Sequence, residues 1–439
     1  MRVYTEAVTL PKADLRLKAL SAAFSSLKHP VRFAVTSSAA GECSCEIDCV
    51  SDIANYGLPE SCIFDLTPRR FENTDRFNAV MIIPTGIGAV IGGHCGDANA
   101  VARLLASACD TLITHPNVVN AADVNEMTEN TLYVEGSILT RFMMGSIGLQ
   151  KVRSNRLVLL MDKHQYGAFN DGAANVVSVA RVCLGLDCDV LQMPGTTTFT
   201  SGYTKTGRAA GEIAHAEEIF EIVASCRLKY DAIALTTRIE VPFELELNYY
   251  KSPDVVNPFG GIEAMLTHSL ATAFDIPCAH SPMALTLTGT NKLFETIGVT
   301  DPRKAADAIS RTYLFSILKG LHKAPRIVHG GGLTVADVSC LVIPDGCIGL
   351  PTLAALEQDI PVIAVRENRN LMRNNLEDLP FKPGKLFVVD NYWEAAGIMT
   401  ALKAGVSPAT VRRPLQETVI EGSAAHASLL QVRGAGQSE

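Results

Sequence analysis

The stretch Phe77 to Asp110, FNAVMIIPTGIGAVIGGHCGDANAVARLLASACD, restricts the fold more than any other part of the chain. Ala79 to Ile83 is an unbroken apolar run of strand length, the composition of a strand buried on both faces in a parallel sheet. Pro84-Thr85 ends it, and Gly86, Gly88, Gly92, Gly93 and Gly96 leave the following turns almost free of Cβ atoms. Asp97 stands at the expected helix N-cap, with Val101, Leu104, Leu105 and Ala108 at helical spacing behind it. Strand, glycine-rich turn and helix together aim bare N–H groups at an anion, with the helix dipole behind them.

The glycine spacing, G-x-G-x-x-x-G-G, departs from a dinucleotide fingerprint, and no Gly-Lys-Ser/Thr closes a P-loop. The next strand ends in His115, where a ribose-binding acid would stand. A small anionic metabolite, carboxylate or phosphate, is therefore the expected ligand of Gly86, Gly88, Gly92 and Gly93. No cofactor is favoured; a dinucleotide and a divalent metal are the minor alternatives.

From Phe77 onward strand-like runs alternate with helical ones, so the chain is expected to be α/β, with mainly parallel sheets and flanking helices. Two α/β lobes and a small N-terminal α+β unit are expected. The units are 1–60 (α+β), 61–240 (first lobe, with the Gly-rich turn), 241–324 (mainly helical connection), 325–412 (second lobe) and 413–439 (tail). Within them, Pro194 to Arg208 looks like a long loop, 241–260 irregular, and 301–322 a single helix.

A net charge of −8 and a pI near 5.7 argue against a nucleic-acid partner. No apolar run reaches the ~18 residues that span a bilayer, and the N-terminus lacks a signal-peptide core, so a cytoplasmic protein without a membrane partner is expected. A homo-oligomer is compatible with the composition. Cys43, Cys45 and Cys49 alternate with Glu42, Ser44, Glu46 and Asp48, and Cys62 follows. That period favours a half-buried strand with a thiol-rich inner face over a zinc or iron–sulfur site.

In open parallel sheets ligands bind beyond the carboxyl ends of the strands, and polar residues collect at those positions here. His94 and His115 are the leading acid–base candidates, with Asp97 beside them and His280 at a later strand end. Cys347, in D-G-C-I-G, approaches a nucleophile elbow, with His280 or His329 as its base. Asn117, Asn120, Glu135, Asn257, Glu263, His268, Ser281, Asp345, Asn368 and Asn370 are expected to hold substrate. Arg366 and Arg369 join them as carboxylate or phosphate ligands. The expected function is a metabolic enzyme using acid–base chemistry of the hydrolase, lyase or isomerase kind. A Cys347-dependent hydrolase or transferase and a non-catalytic nucleotide or metabolite sensor are the alternatives.

The segments PTGIGAVIGGHCGD, LITHPNVVNA, LYVEGSILTRFMMG, NPFGGIEAMLTH, IPCAHSPM and IPDGCIGLPTLAALEQDIPVIAVRENRNLM together resemble an uncharacterised family, the one catalogued as domain of unknown function 3326. The resemblance covers roughly Ser61 to Thr410, with Cys95 standing where the family pattern carries a small residue such as Ala. It implies an intracellular metabolic protein and brings no reaction with it.

Overall fold

In the computed structural model the apolar run becomes the strand Asn78–Met81, buried at all four residues. It lies centrally in a six-stranded sheet ordered Leu386–Val389, Val362–Val365, Val338–Pro344, Asn78–Met81, Thr111–Thr114, Thr131–Tyr133. Every pairing in that sheet is parallel. The chain winds outward one way from Asn78–Met81 and the other way from Val338–Pro344. Strand order therefore reverses between these two, the place where such sheets open a crevice at their carboxyl ends. The structure describes residues 1–24, 29–39, 41–52, 62–121, 124–309 and 313–418.

A second parallel sheet runs Cys278–Met283, Ala232–Arg238, Arg156–Met161, Asp187–Gln192. The third sheet is antiparallel and ordered Thr198–Tyr203, Ala209–Ala214, Arg2–Pro11, Glu42–Val50, Pro30–Ser37, Ile348–Gly349. Two compact units divide the chain, Met1–Met399 and Thr400–Glu439. All the sheets belong to the first; the second carries the 3-10 turn Pro408–Val411.

The α/β expectation holds, but the expected lobes do not separate the sheets. Strands from 78–133 and 338–389 share one sheet, and the N-terminal strands pair with Ala209–Ala214 and Ile348–Gly349. Backbone pairing between distant segments leaves no mark in local composition. The boundary at 60–61 and the tail residues 419–439 lie outside the described residues. Pro194 to Arg208 is not one loop, because Thr198–Tyr203 opens a hairpin with Phe199 and Ser201 buried and Thr198 and Thr200 exposed. The small polar side chains hid that alternation. Phe243–Lys251 is a helix inside the stretch expected to be irregular. The expected helix 301–322 is broken into Pro302–Lys304, Ala305–Ile309 and Leu314–His322, with Tyr313 left-handed at φ 43° before the last.

In Glu42–Val50 the thiols of Cys43, Cys45 and Cys49 are buried as expected, but Glu46 and Asp48 on the other face are buried too. Arg208 explains this: its Nε donates to Glu46 and its Nη2 to Asp48 at 2.9 Å. All twelve cysteines are free. Among the described residues no three His, Cys, Asp or Glu side chains are arranged to hold a metal ion. Among them, also, no helix is long and apolar enough to cross a membrane.

Candidate active site

The helix Gly260–Phe274 supplies the floor of the site. Gly260, Glu263, Ala264, Thr267 and His268 recur at the i, i+3, i+4, i+7, i+8 spacing of a single helix face. They line a cavity of about 220 Å³. The strand ends of the first sheet bring His115, Asn117, Glu135 and Gly136 to the same cavity, and the second sheet brings Ala279, His280 and Pro282. The helix Phe243–Lys251 adds Glu246, Tyr249 and Tyr250.

Glu135 caps the helix Gly136–Met143, accepting the N–H groups of Ser137 at 2.8 Å and Ile138 at 3.1 Å. The hydroxyls of Ser137 and Thr267 also donate to it. Burial alone would raise its pKa; the charge of His268 and these donors outweigh that and lower it to about 2. His268 Nδ1 lies 2.8 Å from Glu135 Oε1, an ion-pair distance, although the ring N–H is off-line for a hydrogen bond. Nε2 of His268 makes no hydrogen bond among the described residues, and His268 lines the cavity. Gly136 permits this ring position, since a Cβ there would fall 2.6 Å from His268 Cε1.

The second carboxylate is Glu263, whose Oε2 lies 2.9 Å from His280 Nδ1. The other ring nitrogen of His280 lies 2.9 Å from the hydroxyl of Thr237, which is fully buried and does not reach the cavity. With Nδ1–H donated to the carboxylate, Nε2 accepts from Thr237. Both nitrogens are thus engaged, so His280, expected to be catalytic, instead orients Glu263. The remaining oxygen of Glu263 has no partner among the described residues.

The leading histidines are placed differently from expectation. His115 lines the cavity, but its Nε2 accepts the N–H of Ile83 at 3.1 Å. Burial, with the charge of His268 second, lowers its pKa to about 4, so it stays neutral. His94 does not line the cavity. Its Nδ1 lies 2.9 Å from Tyr249 Oη, which already donates its proton to Asp307 at 2.5 Å. Burial and the charge of Lys304 lower the His94 pKa to about 4. His94 therefore supports Tyr249 from behind.

The glycine-rich turn is shaped by its own packing. A Cβ on Gly93 would fall 2.0 Å from Ala89 O, and one on Gly86 2.8 Å from Ala209 O. The N–H groups of Val90, Ile91, Gly92 and Asp97 are already donated within the chain. Gly86 and Gly93 line the cavity, whereas Gly88 and Gly92 do not. The helix begins at Asn99 after Ala98, so Asp97 is not its N-cap. Instead Asp97 Oδ1 accepts the Gly92 N–H at 2.7 Å, while its buried Oδ2 has no partner among the described residues.

Burial raises the Asp97 pKa to about 7, against the Gly92 and His94 backbone bonds that lower it. A raised folded pKa favours the protonated form, so this contribution is full below the unfolded value and is lost as pH rises through about 7. Asp97→Asn is expected to stabilise the chain by about 2 kcal/mol at pH 8 and to be near neutral at pH 4, as checked by urea unfolding at both.

Asn117, Asn120 and Asn257 line the cavity while tying down its walls. Asn117 Nδ2 donates to Ile83 O and Gly92 O, Asn120 Nδ2 to Tyr133 Oη, and Asn257 Oδ1 accepts the Phe259 N–H. The remaining expected ligands lie elsewhere. Arg366 and Arg369 are exposed, Arg366 paired with Asp390 at 3.2 Å. Asn368 fastens both backbone groups of Ile91, Asn370 donates to Asp345 O, and Asp345 accepts its neighbour's N–H. Ser281, within the strand Cys278–Met283, is fully buried and does not line the cavity.

Cys347 is buried in a separate, smaller cavity, and burial, with the charge of Asp345, pushes its thiol well up, away from thiolate. His329 is occupied by Asp275 at 2.9 Å. Sequence reasoning missed Glu246, Tyr249, Tyr250, Asp307 and Tyr313, all in the cavity wall. Burial raises Glu246 to about 7 and Asp307 to about 6, the latter against bonds from Tyr249 and Tyr313 that lower it.

Residues 78–412 match the model of a family described as "protein of unknown function (DUF3326)". An uncharacterised lipoprotein of a Synechococcus strain is 33% identical over 347 residues, covering 76% of this chain and 92% of that protein. No solved structure matches.

Proposed function

This chain belongs to the DUF3326 family, and we propose that it is an enzyme that transfers protons on a small polar metabolite, by isomerase- or lyase-type chemistry. One observation carries the reading. Two proton-transfer groups of opposite kind, Glu263 and the His268 imidazole, open onto one cavity from one helix face, each set by a buried partner. Glu263 takes a proton from substrate carbon or oxygen as general base. His268, held beside Glu135, gives one back from Nε2 at a second atom. Neutral His115 and the tyrosine wall exclude water and orient the ligand. The buried, protonated Cys347 gives no support to thiol catalysis.

The relative is named a lipoprotein, which does not fit the cytoplasmic expectation for this chain, and the acid–base reading is independent of compartment. The test is deuterium entry. The small-molecule fraction of a cell extract, incubated with the protein in D2O and followed by mass spectrometry, is expected to show one metabolite gaining deuterium or giving way to a product. A ligand that binds in the cavity with neither outcome would replace the enzyme with a sensor.

A further inference from the structure

The main cavity has a smaller neighbour of about 110 Å³. Thr85, His115, Gly136, Ala264 and His268 line both, so the acid–base histidine stands in the wall between them. The smaller cavity is also lined by Ile82, Pro84, Ile343 and Cys347, which follow or end the two central strands on either side of the order reversal. It thus occupies the crevice where sheets of this winding receive ligands. From the antiparallel sheet, Arg32 of Pro30–Ser37 reaches into its lining. No other Lys or Arg lines either cavity among the described residues.

Arg32 is a largely buried cation whose hydrogen bonds are incomplete. Its side chain is 11% exposed, and Nη2 donates to Thr85 O at 2.6 Å. Nη1 makes no hydrogen bond, with Asp48 Oδ2 no closer than 3.6 Å. Asp48 Oδ1 accepts from Arg208 at 2.9 Å and Thr5 at 2.7 Å, and its Oδ2, the oxygen nearer Arg32, accepts from Arg208 Nη1 at 3.5 Å. A buried charge left short of hydrogen bonds gains from any anion that completes them.

We propose that the smaller cavity is a carboxylate subsite, in which Arg32 binds the acid group of the substrate and presents the adjoining atoms to His268 and Glu263. This deepens the acid–base reading and rests on it. The donor set decides for carboxylate over phosphate. Of the hydroxyls in this lining, Thr140 donates to Gly136 O at 2.9 Å and Thr352 to Cys347 O at 3.0 Å, which leaves that of Thr85 in the shared wall. One guanidinium suits a planar monoanion, whereas a phosphate brings three oxygens and up to two charges that this lining does not answer. The substrate is therefore a small carboxylic acid whose carbon next to the acid group reaches the shared wall.

The test uses the full chain with acetate and inorganic phosphate as probes, each compared with chloride at matched ionic strength. Acetate is expected to raise the melting temperature and to compete with the deuterium-exchange substrate; phosphate is expected to do neither. Arg32→Gln should weaken acetate binding at least tenfold, and Arg32→Lys should recover part of it. Because Arg32→Gln also disturbs Asp48, Cys347→Met provides a second variant, filling the cavity while leaving the guanidinium in place; it too should abolish the acetate response. Equal responses to phosphate and acetate, or an acetate response that survives both Arg32→Gln and Cys347→Met, would overturn the subsite. His268→Gln separates the two readings: it should stop exchange and leave acetate binding intact. Loss of exchange chemistry altogether in the wild type, with acetate still bound through Arg32, would reject the enzyme and keep the subsite.

Discussion

Replacing Arg208 with leucine is expected to destabilise the chain by about 3–5 kcal/mol, the usual cost of stranding a buried charge. Arg208 is 1% exposed and holds two carboxylates, Glu46 and Asp48, that are themselves 3% and 0% exposed. Without it they lie together in the interior, with Arg32 no nearer than 3.6 Å to Asp48 and hydroxyls from Thr206 and Thr5 the only other side-chain donors among the described residues. Burial by itself would raise the Asp48 pKa; Arg208 and then Arg32 bring it below its ordinary value. In the wild type, then, Asp48 adds stability above its unfolded pKa that is lost as pH falls through the folded one. In Arg208→Leu the sign inverts: Asp48 is pushed up, and stability is lost as pH rises. The deficit, measured as the shift in urea midpoint at constant slope, should be larger at pH 7 than at pH 4. Replacing all three charges together with Leu or Met should restore most of the loss. A single mutant within about 1 kcal/mol of wild type at both pH values would show that the carboxylates escape the interior.

The same network marks how far the sequence could be read. The alternation in Glu42–Val50 was legible and placed the thiols inward. That the opposite face is buried as well depends on Arg208, in a hairpin more than 150 residues away by the chain separation of 160 to Asp48. For the site, strand-end logic named His115, Asn117, Asn120, Glu135 and His280, and the expected substrate-holding groups added Asn257, Glu263 and His268; these eight meet in one cavity. It could not rank them. His94 sits in the most conspicuous turn, yet Tyr249 stands between it and the cavity, and Tyr249 comes from a helix whose run FELELNYYK alternates in a way that masks helical spacing. Arg32, between Val31 and Phe33 in a short strand, looks like an ordinary outward residue. Only the burial of that strand under other elements turns its guanidinium inward. Arg366 and Arg369 had the reverse fate: the right chemistry after a parallel strand, on an exposed rim.

The largest loss of turnover is expected at His268 and Glu263. His268→Gln removes the titratable ring while retaining an amide near Glu135, and Glu263→Gln keeps the shape of the carboxylate without its basicity. Each should lower kcat by about 10²–10⁴, the contribution of a positioned proton-transfer group, with KM little changed. The deuterium-exchange rate with the identified substrate measures both. Glu135 acts through His268, so its variant should show a different signature. The carboxylate, with its pKa lowered to about 2, remains charged throughout the working range and holds the His268 ring at 2.8 Å. Glu135→Gln withdraws that charge and loosens the ring, so kcat should fall with KM little changed, and Glu135→Asp should recover part of the loss. Gly136→Ala should reduce kcat from the other side, because its methyl would occupy the space 2.6 Å from His268 Cε1 and push the ring off Glu135. Arg366→Ala, at the exposed pair with Asp390, should leave turnover unchanged. If instead Arg366→Ala abolished turnover while His268→Gln retained it, the chemistry would lie at the rim of the sheet and not between its two cavities.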